Sequence, residues 1–178
     1  MDPVYLFIVA FALAAMWGVA GLHKLAAFAV FAATLDDYRV VPQRLVRLVA
    51  GFVVAIELII ALCLTVPGTR SAALTAGAVL LSIYAAAMAI NLVRGRRHID
   101  CGCMGPAGRQ TLSGWLITRN LIIALLAVAS TGSVTDRALI WLDLVTIGAG
   151  VAVLALAYAS ANHLIANAPE LARLRQNA

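Results

Sequence analysis

The chain has 178 residues, 63% of them hydrophobic and 12% charged, and its 13 Lys+Arg against 8 Asp+Glu give a net charge of +5. A soluble domain carries about 25% charged residues, and the mean hydropathy here is +0.98, which excludes both a soluble globule and a disordered chain. The basic residues are divided among separate connections, so a nucleic-acid-binding patch is excluded as well.

A bilayer core of about 30 Å takes roughly 20 apolar residues in a helix. The first such run, 4–22, holds no charge, and the second, 48–66, is interrupted only by Glu57. The third covers 72–93. The fourth, 112–129, contains Arg119 and Asn120, and the fifth, 138–161, has Asp143 near its start. Runs of this length lack the alternation of a barrel strand. The expected fold is all-α: a polytopic membrane protein, one integral domain over 1–178, built as a compact bundle of about five transmembrane helices. Asp2 stands where a signal peptide would be basic, so the first span is expected to persist. Ala14/Gly18, Ala73/Gly77 and Gly148/Ala152 are small pairs four apart that suit close helix contact, although an Ala-rich chain yields such pairs by chance.

Charge sorts the connections. The first holds His23, Lys24, Arg39, Arg44 and Arg47, and the third holds Arg94, Arg96, Arg97 and Arg109. The tail adds Arg173 and Arg175. The second connection has Arg70 and the fourth has Arg137. The positive-inside rule then places the N-terminus outside and the first loop, third loop and tail in the cytoplasm. In either orientation the end of span one, the end of span three and the start of span four share one membrane face. His23, Lys24, Asn91, the third loop, Arg119 and Asn120 are expected neighbours there.

That third loop, 94–111, carries Cys101-Gly-Cys103. A disulfide needs Cα atoms about 4.4–6.8 Å apart, which residues two apart reach only in a turned backbone. Gly102 permits the turn, and Gly105-Pro106 ends regular structure just beyond it. The small ring would be strained, and strained, exposed disulfides are the labile, catalytic kind. Arg94, Arg96, Arg97 and His98 favour the thiolate, while Asp100 opposes it. Two inert loop thiols are the plain alternative. A second alternative is a metal site of His98, Cys101 and Cys103, three ligands suited to zinc or copper(I). Cys63, near the far end of span two, reads as a small apolar core residue or as a relay thiol at the opposite surface.

Glu57 sits in mid-span, where ionisable residues are costly and are paired or functional. Arg119 is its expected partner by depth, with Asn91 and His23 completing a polar cluster beneath the cysteine loop. Either a structural ion pair that fixes helix register or a proton-handling group fits. Asp36, Asp37, Tyr38 and Pro42 open a membrane-surface stretch, and the tail after His163 reads as a solvated end. A proton-coupled transporter would need an inverted repeat or broken helices, and neither is visible.

The Gly21-Leu-His-Lys24 step, Tyr38 and Pro42, Glu57, and Asn91-Leu-x-Arg-Gly95 leading into Ile99-Asp-Cys-Gly-Cys103-x-Gly105 resemble the MauE family. These are methylamine utilisation membrane proteins, related to the wider DoxX-like group. Met104 departs from the family pattern, in which an aromatic residue is more frequent. The resemblance implies a place in the bacterial inner membrane and a role in maturation of methylamine dehydrogenase, whose exported small subunit is rich in disulfides. It also implies a periplasmic thioredoxin-like partner of the MauD type, with no cofactor. A thiol–disulfide relay through Cys101 and Cys103 is the function expected, rather than a stand-alone enzyme. The alternative is a metal-handling or assembly scaffold. A cytoplasmic cysteine loop and a periplasmic client then require electrons to cross the bundle, with Cys63 as an outer station, or the loop to fold back into the bilayer.

Overall fold

A computed structural model describes residues 2–97, 99–101, 111–132, 135 and 137–176. Among them the chain forms α1 (Pro3–Ala26), α2 (Phe28–Asp37), a 3-10 turn (Gln43–Leu45), α3 (Val46–Thr65), α4 (Arg70–Val93), α5 (Gly114–Ala129) and α6 (Trp141–Gln176). The fold is all-α and polytopic. Four helices are long and apolar enough to cross a membrane, and α5 is a shorter apolar helix.

Each apolar run becomes a helix because in lipid the backbone must bond to itself. Asp2 caps α1 by accepting the Val4 N–H at 2.8 Å, and Pro3 follows at the first helical position, where its missing N–H costs nothing. Helix α1 runs four residues beyond the expected 22. Lys24 is therefore a helical residue rather than a loop cation. At Ala27 (φ −114, ψ 43) the ladder breaks and restarts as α2, with bonds from Ala27 N–H to His23 O and from Phe31 N–H to Ala27 O.

The helices α1, α3, α4 and α5 alternate in direction. Gly18 faces Ala61 and Gly21 faces Leu58, so close that a Cβ on Gly21 would lie 2.8 Å from Leu58 Cδ2. Gly77 of α4 lies against Trp17 and Ile60 in the same way. The main core joins Leu13, Trp17, Leu64, Leu74, Leu81 and Ala124. Helix α6 lies along the outside of α1, with Gly150 against Ile8, and most of its residues over 141–164 are exposed.

Although α5 is only 16 residues long, or about 24 Å, it traverses the bundle. Arg137, just beyond it, bonds Asp2 at 3.1 Å and Asp143 at 2.7 Å, which brings the α5–α6 connection to the end where α1 begins. The Arg137 guanidinium, helped by the Val4 N–H, holds the Asp2 carboxyl below the usual carboxylate range.

Helix α4 ends in a Schellman motif: Arg96 N–H reaches Asn91 O at 3.0 Å and Gly95 N–H reaches Leu92 O at 3.0 Å. Gly95 has φ +75, a left-handed backbone that only glycine adopts without strain. This turn launches the cysteine loop. Two strand-like residues close the loop at its base, with Asp100 bridged to Thr111 and Leu112 N–H bonded to Ile99 O at 3.1 Å.

Candidate functional site: a buried lysine–glutamate–tyrosine cluster beneath the cysteine loop

Glu57 is fully buried in α3 and Lys24 is 5% exposed in the last turn of α1. The Lys24 ammonium donates to Glu57 Oε1, and the Tyr84 hydroxyl of α4 donates to the same oxygen at 2.7 Å. The ammonium also lies 5.2 Å from the centroids of both the Phe31 and Tyr84 rings. A cation held by a carboxylate and two aromatic faces is stabilised where water is excluded. Glu57 Oε2 has no hydrogen-bond partner among the described residues.

The expected Glu57–Arg119 pair does not form. Arg119 bonds Asn162 of α6 and Asn120, and lies 5.4 Å from the Tyr158 ring. The reason is the extra turn of α1, which delivers Lys24 to Glu57 first. His23 is exposed on α1 and does not join the cluster, because one residue along a helix turns the side chain by about 100°. Asn91 is fully buried but serves the end of α4, donating Nδ2–H to Ala87 O at 3.0 Å.

Cys101 is 9% exposed, packed with Ile99, Leu112, Leu116, Met88 and Tyr38. It lines a cavity of about 80 Å³ together with Lys24, Phe31, Tyr38, Tyr84 and Met88. Lys24 and the first cysteine of the loop thus face one small, mostly apolar chamber. By volume the chamber has room for a few water molecules. Cys63, half-buried, sits at the opposite end of the bundle, beside the turn into α4. Cys103, Gly102 and His98 lie outside the described residues. Among the described residues no three His, Cys, Asp or Glu side chains group to hold a metal.

Tyr84, Phe31 and Met88 are chamber residues that sequence reasoning missed. Tyr84 had a signal: the one aromatic residue of an apolar span, carrying a hydroxyl and standing two turns before Asn91, so on the same helix face. Asn162 and Tyr158, also missed, stand four apart on α6 and share a face.

Fold and site together define a multi-pass helical membrane protein with a buried ion pair set against a cysteine-bearing loop. The profile described as "Methylamine utilisation protein MauE" matches residues 2–133, ending before α6. The chain belongs to the MauE family. It is 36% identical over 129 residues to the methylamine utilization protein MauE of Paracoccus denitrificans, covering 72% of this chain and 69% of that one. The namesake of Paracoccus versutus is 31% identical over 71% of this chain and 72% of its own. That of Methylorubrum extorquens is 34% identical over 160 residues, 90% of this chain and 81% of its own. No solved structure matches the chain.

Proposed function

We propose that this protein is a membrane thiol–disulfide relay serving methylamine utilisation. Its client would be an exported, disulfide-bearing partner: by family, the methylamine dehydrogenase small subunit, with a MauD-type thioredoxin-like protein as exchange partner. The observation that carries the reading is the chamber shared by Cys101 and the Lys24–Glu57–Tyr84 cluster. The ammonium and the thiol line the same chamber, and exchange with a disulfide requires the thiol as its thiolate.

In the relay, one thiolate of the Cys101/Cys103 pair attacks a partner disulfide and forms a mixed disulfide, expelling a partner thiolate. The second cysteine of the pair then displaces the first partner sulfur. Run in reverse, the same two steps pass a disulfide to the partner. The protein is placed in the bacterial inner membrane with its N-terminus periplasmic and the cysteine loop cytoplasmic, Cys63 standing at the outer end.

Cys101→Ser and Cys103→Ser are each expected to abolish maturation of the partner. One of the two is also expected to accumulate a mixed disulfide that is visible on a non-reducing gel. Undiminished maturation in the double variant would overturn the relay.

A further inference from the structure

Two arginines are buried in the bundle without a carboxylate among the described residues, and their surroundings differ. Arg70 has its charge answered by the end of α3. Its Nε donates to Leu64 O at 3.0 Å, Nη2 lies 3.5 Å from Thr65 O, and the guanidinium stacks 4.4 Å from the Phe7 centroid. A helix C-terminus carries partial negative charge, so Arg70 is compensated. Arg119, 8% exposed, has, among the described residues, the neutral oxygens of Asn162 and Asn120 and the Tyr158 ring. Its Nε and the Nδ2 of adjacent Asn120 have no acceptor among the described residues. Two buried donors beside an uncompensated cation call for an anionic oxygen.

Depth identifies its source. Arg119 lies five residues into α5, about 8 Å along the helix from its start. Asn162 lies two residues before the apolar stretch of α6 ends at Leu164. Both therefore sit near the boundary between acyl chains and headgroups, at the cysteine-loop end. The flanks are lipid-facing in character: Trp115, one turn before Arg119, is exposed, as is Leu164. Helix α6 packs on α1, and the Arg119–Asn162 bond links it to α5. Phosphate is the anion that a membrane supplies at this level, and basic clefts between spans bind anionic headgroups.

The geometry points to a phosphate-binding site formed by Arg119, Asn120 and Asn162, filled by the headgroup of an anionic phospholipid at this link between α5 and α6. The site is independent of the cysteine loop, and its test requires no thiol chemistry.

The test is a thermal-unfolding titration of the full-length protein in neutral detergent with short-chain phosphatidylglycerol. Phosphatidylcholine and inorganic phosphate are run in parallel. Phosphatidylglycerol is expected to raise the unfolding midpoint at about tenfold lower concentration than phosphatidylcholine. Arg119→Gln is expected to remove that difference, and Asn120→Leu to reduce it several-fold. Equal response to the two lipids in the unaltered protein overturns the site, whether or not Arg119→Gln folds. Retained selectivity in Arg119→Gln or in Asn120→Leu overturns the residue assignment. An equal midpoint shift from inorganic phosphate would keep the phosphate chemistry but overturn the lipid as its source.

Discussion

Replacing Lys24 by methionine is expected to lower stability by about 3–5 kcal/mol, the cost of leaving a buried charge without its partner. Glu57 is wholly enclosed, and its remaining donor among the described residues is the Tyr84 hydroxyl. A carboxylate in that position is a buried charge without its counter-ion. Lys24→Met/Glu57→Leu is expected to recover most of the loss, because two apolar side chains replace the desolvated pair together. The residual cost of about 1 kcal/mol is the lost hydrogen bond from the Tyr84 hydroxyl to Glu57 Oε1. Denaturant unfolding of the four proteins of this cycle in detergent checks it. A Lys24→Met loss below about 1 kcal/mol would mean that the ammonium reaches water by extending past α2, as long basic side chains do near helix ends.

An all-or-none result is expected from a membrane-impermeant maleimide. Cys101 and Cys103 should stay unlabelled in intact cells and become labelled from the cytoplasmic side once the cells are opened. Cys63 should not react from that side. The charges at the two ends of the bundle motivate this. Arg39, Arg44, Arg47, Arg94 and Arg97 are exposed at the cysteine-loop end. At the other end Arg70 is buried and Arg137 is tied to Asp2 and Asp143. Removing Lys24 from the loop count still leaves the asymmetry that resists translocation. Cys101, being buried, should react slowly. Labelling of either from outside would reverse the orientation and make direct exchange with a periplasmic partner the simpler mechanism.

Helices were legible in the sequence wherever apolar residues ran uninterrupted, because lipid leaves the backbone no other partner. Their ends were less legible. A lysine two residues past an uncharged run reads as a loop cation, and nothing local reveals that α1 continues to Ala26 and turns that lysine inward. The wrong partner for Glu57 followed from this. Counting residues from the span ends suggested Arg119 for Glu57, but such a count fixes neither the depth of a side chain nor the rotation of its helix, and Arg119 faces α6. Ala27 gives no sequence warning of the break at which α2 begins, since neither Gly nor Pro marks it. The cysteine motif was legible as a motif. Its packing against Tyr38 and Met88 was not, since Tyr38 stands far earlier in the chain, just beyond α2, and nothing local shows that the loop turns back onto Met88.

The pairing of Lys24 with Glu57 also orders events during synthesis. The two residues are 33 positions apart, and at 5–20 residues per second the carboxylate is made roughly 2–7 s after the ammonium. Until then the Lys24 ammonium, two residues from the end of α1, is expected to stay among the headgroups, as long basic side chains near helix ends do. Arrival of α3 neutralises that charge and draws both segments in as a hairpin. A nascent chain stalled before Glu57 should leave Lys24 open to a water-soluble amine reagent, and one stalled after α3 has emerged should protect it. Protection that appears only with α3 would make the buried pair a checkpoint in biogenesis, the first helix settling to its final depth after the second has been made.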